Sequence, residues 1–214
     1  GARCRGASPD ACRRCFPDQA AARHALRRAH LLAVVDGIDL FVAPSRFLRD
    51  QFVSWGLDPA RIRLVPNAIA GTAPDSGPAE PERTRRNRFA FFGQIARHKG
   101  VLTLLEAAAR AGGGVAVARL GGLGWAGDGV RADVAAALAA AGRAAQHVGP
   151  YHRDEAVALM RTADWIVAPS LWWENAPLVL SEARAAGRPV ICSGIGGMAE
   201  MVAHGRDGLH VAPG

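Results

Sequence analysis

From Phe89 onward, short apolar runs alternate with helix-like segments of about ten residues, and this alternation constrains the fold more than anything else in the chain. The strand-like runs are Phe89–Phe92, Val115–Leu120, Gln146–Val148, Trp165–Ala168, Val190–Cys192 and Leu209–Val211. Between them lie helical patterns at Val101–Arg110, Val130–Ala141, Arg153–Thr162, Pro177–Ala186 and Met198–Ala203, several closed by glycine, as at Gly142 and Gly187. Short, continuously apolar strands such as Phe89–Phe92, Trp165–Ala168 and Val190–Cys192 are expected to be buried on both faces. The pattern therefore predicts an α/β, Rossmann-like parallel sheet wound by helices.

The first 70 residues are organised differently. Asp18–Ala33 is an arginine-rich helix pattern, Ile38–Ala43 a short strand, and Ser45 a cap for a helix over Arg46–Trp55 that stops at Gly56. Ile62–Val65 is another strand, followed by Pro66. Residues 71–88 carry prolines, glycines and charges without periodicity and read as a linker or surface loop. One internal echo joins the two parts: Asp39-Leu-Phe-Val-Ala-Pro-Ser45 is similar to Asp164-Trp-Ile-Val-Ala-Pro-Ser170. Two facing wound halves would account for it, as would chance between two buried strands.

Half of the 214 residues are apolar and 21% are charged, which excludes a disordered tail or a fibrous repeat. The best membrane candidate, Leu31–Val42, is broken by Asp36 and Asp39. With no initiator methionine and no secretory signal, the chain reads as a piece of a longer protein. The net charge of +7 is concentrated in residues 1–88, with 15 Arg against 9 acids; residues 89–214 carry 11 basic residues against 10 acids. A basic balance can serve nucleic acid. Here RNP-type aromatics, a zinc-finger pattern and a clear basic stripe are all missing, and a biased genome composition with solvated helix faces is the plainer account.

Cys4, Cys12 and Cys15 form C-x7-C-x2-C, and His24 or His30 could complete a four-ligand zinc set; this is a weak candidate metal site. Cys192 lies in an apolar strand and reads as a small buried side chain.

Ligands of wound sheets bind outside the carboxyl ends of the strands, and two such ends are unusual. After Phe92 come Gly93, Gln94, Arg97 and Lys99, the one lysine of the chain. Glycine lets backbone approach a ligand, and an ammonium group beside a tight turn suits a phosphate oxygen. Lys99 reads equally as the first residue of a solvated helix. The second end is Ser170-Leu-Trp-Trp-Glu174-Asn175-Ala176-Pro177-Leu178, with Glu182 further on. Asn175 is a candidate cap and Pro177 fits a first helical turn, so free N–H groups there would favour a diphosphate. Glu182 lies five residues past Pro177, ~7.5 Å along a helix. Glu174 and Glu182 are thus placed to hold two parts of one long ligand, or else are surface charges. Core packing is the role expected of Trp172 and Trp173.

These segments resemble a known family. Arg97-His-Lys99-Gly-Val101, Glu174-x7-Glu182 and the Ala-Gly-Arg-Pro-Val-Ile that follows are similar to the donor-binding half of glycosyltransferase family 4, retaining enzymes of the GT-B fold. Val42-Ala-Pro-Ser-Arg-Phe-Leu48 and Val65-Pro-Asn67 resemble the segment leading out of the acceptor domain. Gly196-Gly-Met-Ala-Glu200 and Gly208–Pro213 resemble the later glycine loop and strand of the donor site. The likeness spans residues 38–214. It implies that residues 1–70 are the end of an acceptor domain and residues 89–214 a donor-binding domain, incomplete at its C-terminal end.

The resemblance implies that Glu174 contacts the donor hexose, Glu182 holds the ribose hydroxyls and Lys99 neutralises the diphosphate leaving group. Backbone around Asn175, Ala176, Pro177 and Leu178 would share that last task, with Gly93 and Gln94 beside it. Pro150 and Tyr151 fall where the family places the loop near the base. The family commonly has arginine where this chain has Gln94, and Arg97 is a candidate for the missing cation. The implied reaction moves a sugar from a nucleotide diphosphate sugar to a hydroxyl acceptor with retained configuration, in polysaccharide or glycolipid synthesis. It needs no cofactor and no bound metal, and the fragment alone is expected to be inactive. A cytoplasmic enzyme is implied, with peripheral association at the inner membrane face left open for the full-length protein. A nucleotide-sugar epimerase of the same fold and a non-catalytic sugar-nucleotide-binding subunit are the alternatives.

Overall fold

The computed structural model describes residues 6, 8–68, 86–112, 117–125 and 127–214. It divides into two compact units, Gly1–Asn67 and Ala68–Gly214.

In the first unit, helix α1 (Pro9–Cys15) begins at Ser8, whose Oγ accepts from the Ala11 N–H at 3.1 Å. Helix α2 covers Ala21–Asp36, so the expected Asp18–Ala33 helix starts later and ends later. The separate α1 was not anticipated; its seven residues are too few for periodicity to register. Strand β1 (Phe41–Ala43) pairs in parallel with β2 (Ile62–Leu64), both shorter than expected. Between them α3 runs over Arg46–Trp55, as expected, with Ser45 Oγ accepting from the Leu48 N–H at 3.1 Å and Gly56 closing it. Ala43, Leu57 and Ile62 form a small core against Leu32, Val35 and Val53. The Arg61 guanidinium donates to the carbonyls of Val35, Asp36 and Ile38, tying the end of α2 to β2. Most of the linker expected over 71–88 lies outside the described residues; Arg88 already belongs to a strand.

The second unit is built on a six-stranded parallel sheet of order β5-β4-β3-β6-β7-β8. Its strands are β3 (Arg88–Ile95), β4 (Val117–Trp125), β5 (Ala145–Pro150), β6 (Trp165–Ala168), β7 (Val190–Ser193) and β8 (Gly208–Val211). The helices are α4 (Val101–Ala111), α5 (Asp128–Ala141), α6 (Ala156–Arg161), α7 (Leu178–Ala185) and α8 (Gly196–Met201). The expected wound parallel sheet is therefore present.

Alternation along β3 builds both layers. Phe91 and Ile95 pack with Val101, Leu105 and Val134 of α4 and α5. Ala90 and Phe92 pack with Met160, Leu180, Ala183 and Met198 of α6, α7 and α8. Burying a Val, Leu, Ile, Phe or Met side chain among these stabilises by roughly 1.5–3 kcal/mol. Asp164, nearly buried at the start of β6, accepts from the Arg88 N–H at 2.8 Å and aligns the starts of the two central strands.

Several boundaries differ from the sequence reading, and for β3 and β4 glycine is the reason. β3 does not end at Gly93 but passes through it, with φ +138° and a register shift, to Ile95. β4 continues through Gly121 and Gly122, where a Cβ would crowd the Tyr151 ring at 3.2 Å and Ile95 at 2.9 Å. Residues 115 and 116 of the expected strand lie outside the described residues. The helix expected over Arg153–Thr162 is a 3-10 turn, Arg153–Glu155, followed by α6.

Candidate active site

The strand order places a switch point between β3 and β6: the chain leaves β3 toward β4 and β5, then returns to β6 on the other side. Loops after these two strands diverge and leave a crevice, the place where wound sheets hold ligands. A cavity of about 300 Å³ lies there. Gly93, Gln94 and Lys99 line it from the β3 side, and Ser170, Glu174, Pro177, Leu178 and Glu182 from the β6 side. Tyr151 and Arg153 complete the wall from the end of β5.

Lys99 ends a 3-10 turn, Arg97–Lys99, and is not a solvated first helical residue. Its Nζ lies 2.7 Å from Glu174 Oε1, with side-chain exposures of 29% and 16%. Ser170 Oγ is 2.9 Å from the same carboxylate oxygen and 3.0 Å from the His98 carbonyl. That carbonyl also accepts from the Leu171 N–H at 2.8 Å. The two loops are stitched together further at Gly100, in the left-handed region at φ +74°, where a Cβ would stand 1.9 Å from the Pro169 carbonyl oxygen. On the far side of Glu174, the Gly197 N–H donates to the Glu174 carbonyl at 2.7 Å, and a Cβ on Gly197 would fall 1.6 Å from the Asn175 oxygen. The glycines allow backbone to meet backbone, and this closeness sets where Lys99 and Glu174 stand.

Helix α7 points its N-terminus into the cavity. The residue before it is Pro177, with no side-chain cap, so Asn175 does not cap the helix as the sequence suggested. Asn175 is exposed, and its backbone carbonyl lies against Gly197. The first intrahelical bond is Leu180 N–H to the Pro177 carbonyl at 3.1 Å. The N–H groups of Leu178 and Val179, both lining the cavity, are thus left for a ligand.

Glu182 has different neighbours from Glu174. Burial raises its carboxyl above the ordinary range, and the Arg153 charge opposes that rise. Tyr151 is pushed up to about 12 by burial and by Glu182, against the pull of Arg153, and stays a neutral phenol. Its ring meets Phe92 edge-on, centroids 5.4 Å apart.

The structure thus brings Gly93, Gln94, Lys99, Tyr151, Glu174, Pro177, Leu178 and Glu182 to one cavity. Arg97 is not among them. Its guanidinium pairs with Asp133 of α5, so it is not the missing cation of the cavity. Pro150 ends β5 and lines a neighbouring cavity of about 240 Å³, and Asn175 and Ala176 lie outside the lining. Arg153, Ser170, Val179 and Met198 line the site and were not singled out from sequence. Trp172 is 48% exposed, so core packing does not describe it. Cys192 is fully buried, its thiol pushed up to about 11 by burial and by Asp207. Cys4 lies outside the described residues, and Cys12 and Cys15 both sit on α1. Among the described residues no group of three or more His, Cys, Asp or Glu could hold a metal ion, and no helix is long and apolar enough to cross a membrane.

Residues 86–214, more than half of the chain, match the family described as Glycosyl transferases group 1. A D-inositol 3-phosphate glycosyltransferase of Mycobacteroides abscessus is 34% identical over 197 residues, covering 87% of this chain and 44% of that protein. A 2-deoxystreptamine glucosyltransferase of Streptomyces kanamyceticus is 34% identical over 172 residues, 72% of this chain and 42% of that protein. The chain thus spans less than half the length of these two relatives. Among solved structures, sucrose-phosphate synthase of Thermosynechococcus elongatus aligns with a TM-score of 0.70 at 24% identity, over 88% of this chain and 49% of that one. Anabaena HepE in complex with UDP-glucose aligns with a TM-score of 0.68 at 20% identity, over 82% of this chain and 50% of that one. At these identities the two structures establish the fold.

Proposed function

The chain belongs to the Glycosyl transferases group 1 family, and from that premise we propose that it forms the donor-binding part of a retaining hexosyltransferase of family 4, moving a sugar from a nucleotide diphosphate sugar to a hydroxyl acceptor. The observation that carries this reading is the single cavity shared by Lys99, Glu174, Glu182 and the open start of α7. A nucleotide diphosphate sugar has three recognisable parts. The ribose hydroxyls donate well to a carboxylate, which is the role of Glu182. The diphosphate fits between the Lys99 ammonium and the free N–H groups of Leu178 and Val179. The sugar hydroxyls meet Glu174.

Breaking the bond between sugar and phosphate leaves extra negative charge on the diphosphate. The stitched loops hold Lys99 and the α7 N-terminus at the cavity, and once Lys99 has turned from Glu174 to the phosphates both stabilise that charge more in the transition state than in the ground state. Glu174 holds Lys99 in place before the donor arrives and accepts from the sugar once Lys99 turns to the phosphates. We assign residues 1–70 to the end of an acceptor-binding domain and residues 89–214 to the donor side, in an enzyme of the cytoplasm, with polysaccharide or glycolipid as the acceptor class.

The test is a thermal-shift screen of the intact protein against UDP-, GDP- and ADP-sugars. The cognate donor at 100 times its dissociation constant adds about 2.7 kcal/mol of stability. Absence of a shift with every nucleotide diphosphate sugar would contradict the reading. Product analysis with and without acceptor then separates transfer from epimerisation.

A further inference from the structure

We infer that Arg153 supplies the second positive charge that holds the diphosphate in this cavity, so that the two cations come from the ends of two different strands: Lys99 after β3 and Arg153 after β5. The inference rests on the donor reading above and adds a residue to it.

Charge balance is the first argument. The lysine, arginine and glutamate side chains lining the cavity are Lys99, Arg153, Glu174 and Glu182, two of each sign. A diphosphate ester brings two negative charges. With Lys99 alone the wall would already be net negative before the ligand arrived. Lys99 is moreover compensated by Glu174 at 2.7 Å. Gln94, beside the strand end, is neutral, and Arg97 is held by Asp133.

Availability is the second. Among the described residues the Arg153 guanidinium has no hydrogen-bond or ion-pair partner. Glu155, two residues on, is turned back to the chain, its Oε2 accepting from the His152 N–H at 2.8 Å. The turn that presents Arg153 is anchored by Tyr151 on Phe92. Arg153 lines the cavity, and its charge is felt by both Glu182 and Tyr151. A guanidinium fork engages phosphate oxygens in pairs, which an ammonium cannot do.

The experiment measures dissociation constants of the intact protein for UDP, GDP and ADP, then uses the base that binds best. Arg153→Ala is expected to weaken the nucleoside diphosphate about 10- to 100-fold, the range of a charge-assisted hydrogen bond. The matching nucleoside, measured by competition, is expected to lose no more than about twofold, since Arg153 reaches the ribose end only through its charge on Glu182. Gln94→Arg added to Arg153→Ala should return much of the lost affinity, because residue 94 lines the same cavity. Diphosphate binding by Arg153→Ala within about twofold of wild type, or an equal loss for nucleoside and diphosphate, overturns the inference while leaving the donor reading standing. Failure of the wild-type protein to bind any nucleoside diphosphate instead removes the donor reading itself.

Discussion

A Lys99→Ala substitution deletes the cation that stands 2.7 Å from Glu174 in the candidate site. Losing a preorganised charge at a developing anion costs about 100- to 1,000-fold in turnover. Steady-state kinetics on the intact protein should therefore show kcat falling by at least about 100-fold with folding preserved; near-normal turnover would remove Lys99 from the mechanism. Glu182 offers a test through pH. Its folded-state carboxyl lies above the unfolded value, so its protonated form stabilises the fold at low pH and that stability is lost as pH rises through the raised value. Glu182→Gln should accordingly raise the melting temperature of the ligand-free protein near pH 7–8, with the gain vanishing below about pH 4, where both states are protonated. The same variant should bind the donor more weakly. A melting temperature lowered near pH 7–8 would contradict this assignment. Lys99 and Glu174 were legible from sequence because each follows a recognisable strand end. Arg153 was not: in His-Arg-Asp-Glu it looks like one charge on a helix face, and only the 3-10 turn after β5 aims it at the cavity. Arg97 misled because its partner, Asp133, lies on another element.

At the scale of elements, position comes from contacts between backbones. The start of α8 presses on the loop that carries Glu174, through the Gly197 N–H bond to the Glu174 carbonyl and a separation at Gly197 that admits no Cβ. Gly197→Ala should cost about 1–3 kcal/mol as an overpacked contact and also weaken donor binding, since the loop must move. Denaturant melts and donor titrations on the same variant check both effects; lost stability with unchanged donor affinity would separate α8 from the site. Segments whose boundaries are marked by side chains, such as α3 with its Ser45 cap and β6 with its apolar run, were legible in the sequence. Strands β3 and β4 were underestimated because glycine ordinarily ends a strand, whereas here Gly93, Gly121 and Gly122 continue one, and Gly121 and Gly122 make room for Tyr151 and Ile95.

For the whole molecule, the period of alternation made the wound parallel sheet legible, and the order of motifs made the ligand end of that sheet legible too. In the order β5-β4-β3-β6-β7-β8 the winding reverses direction once, and the reversal opens the cavity between β3 and β6. What sequence could not supply was which charged groups face one another across it, because those pairings join residues far apart in the chain, as Lys99 and Glu174 are. The most direct test is a crystal structure of the intact protein with its nucleoside diphosphate sugar bound. The diphosphate is expected within hydrogen-bond distance of Lys99 Nζ and the Leu178 N–H, with the ribose hydroxyls on Glu182. Nucleotide bound away from the β3–β6 crevice, with Lys99 still paired to Glu174, would contradict the proposal.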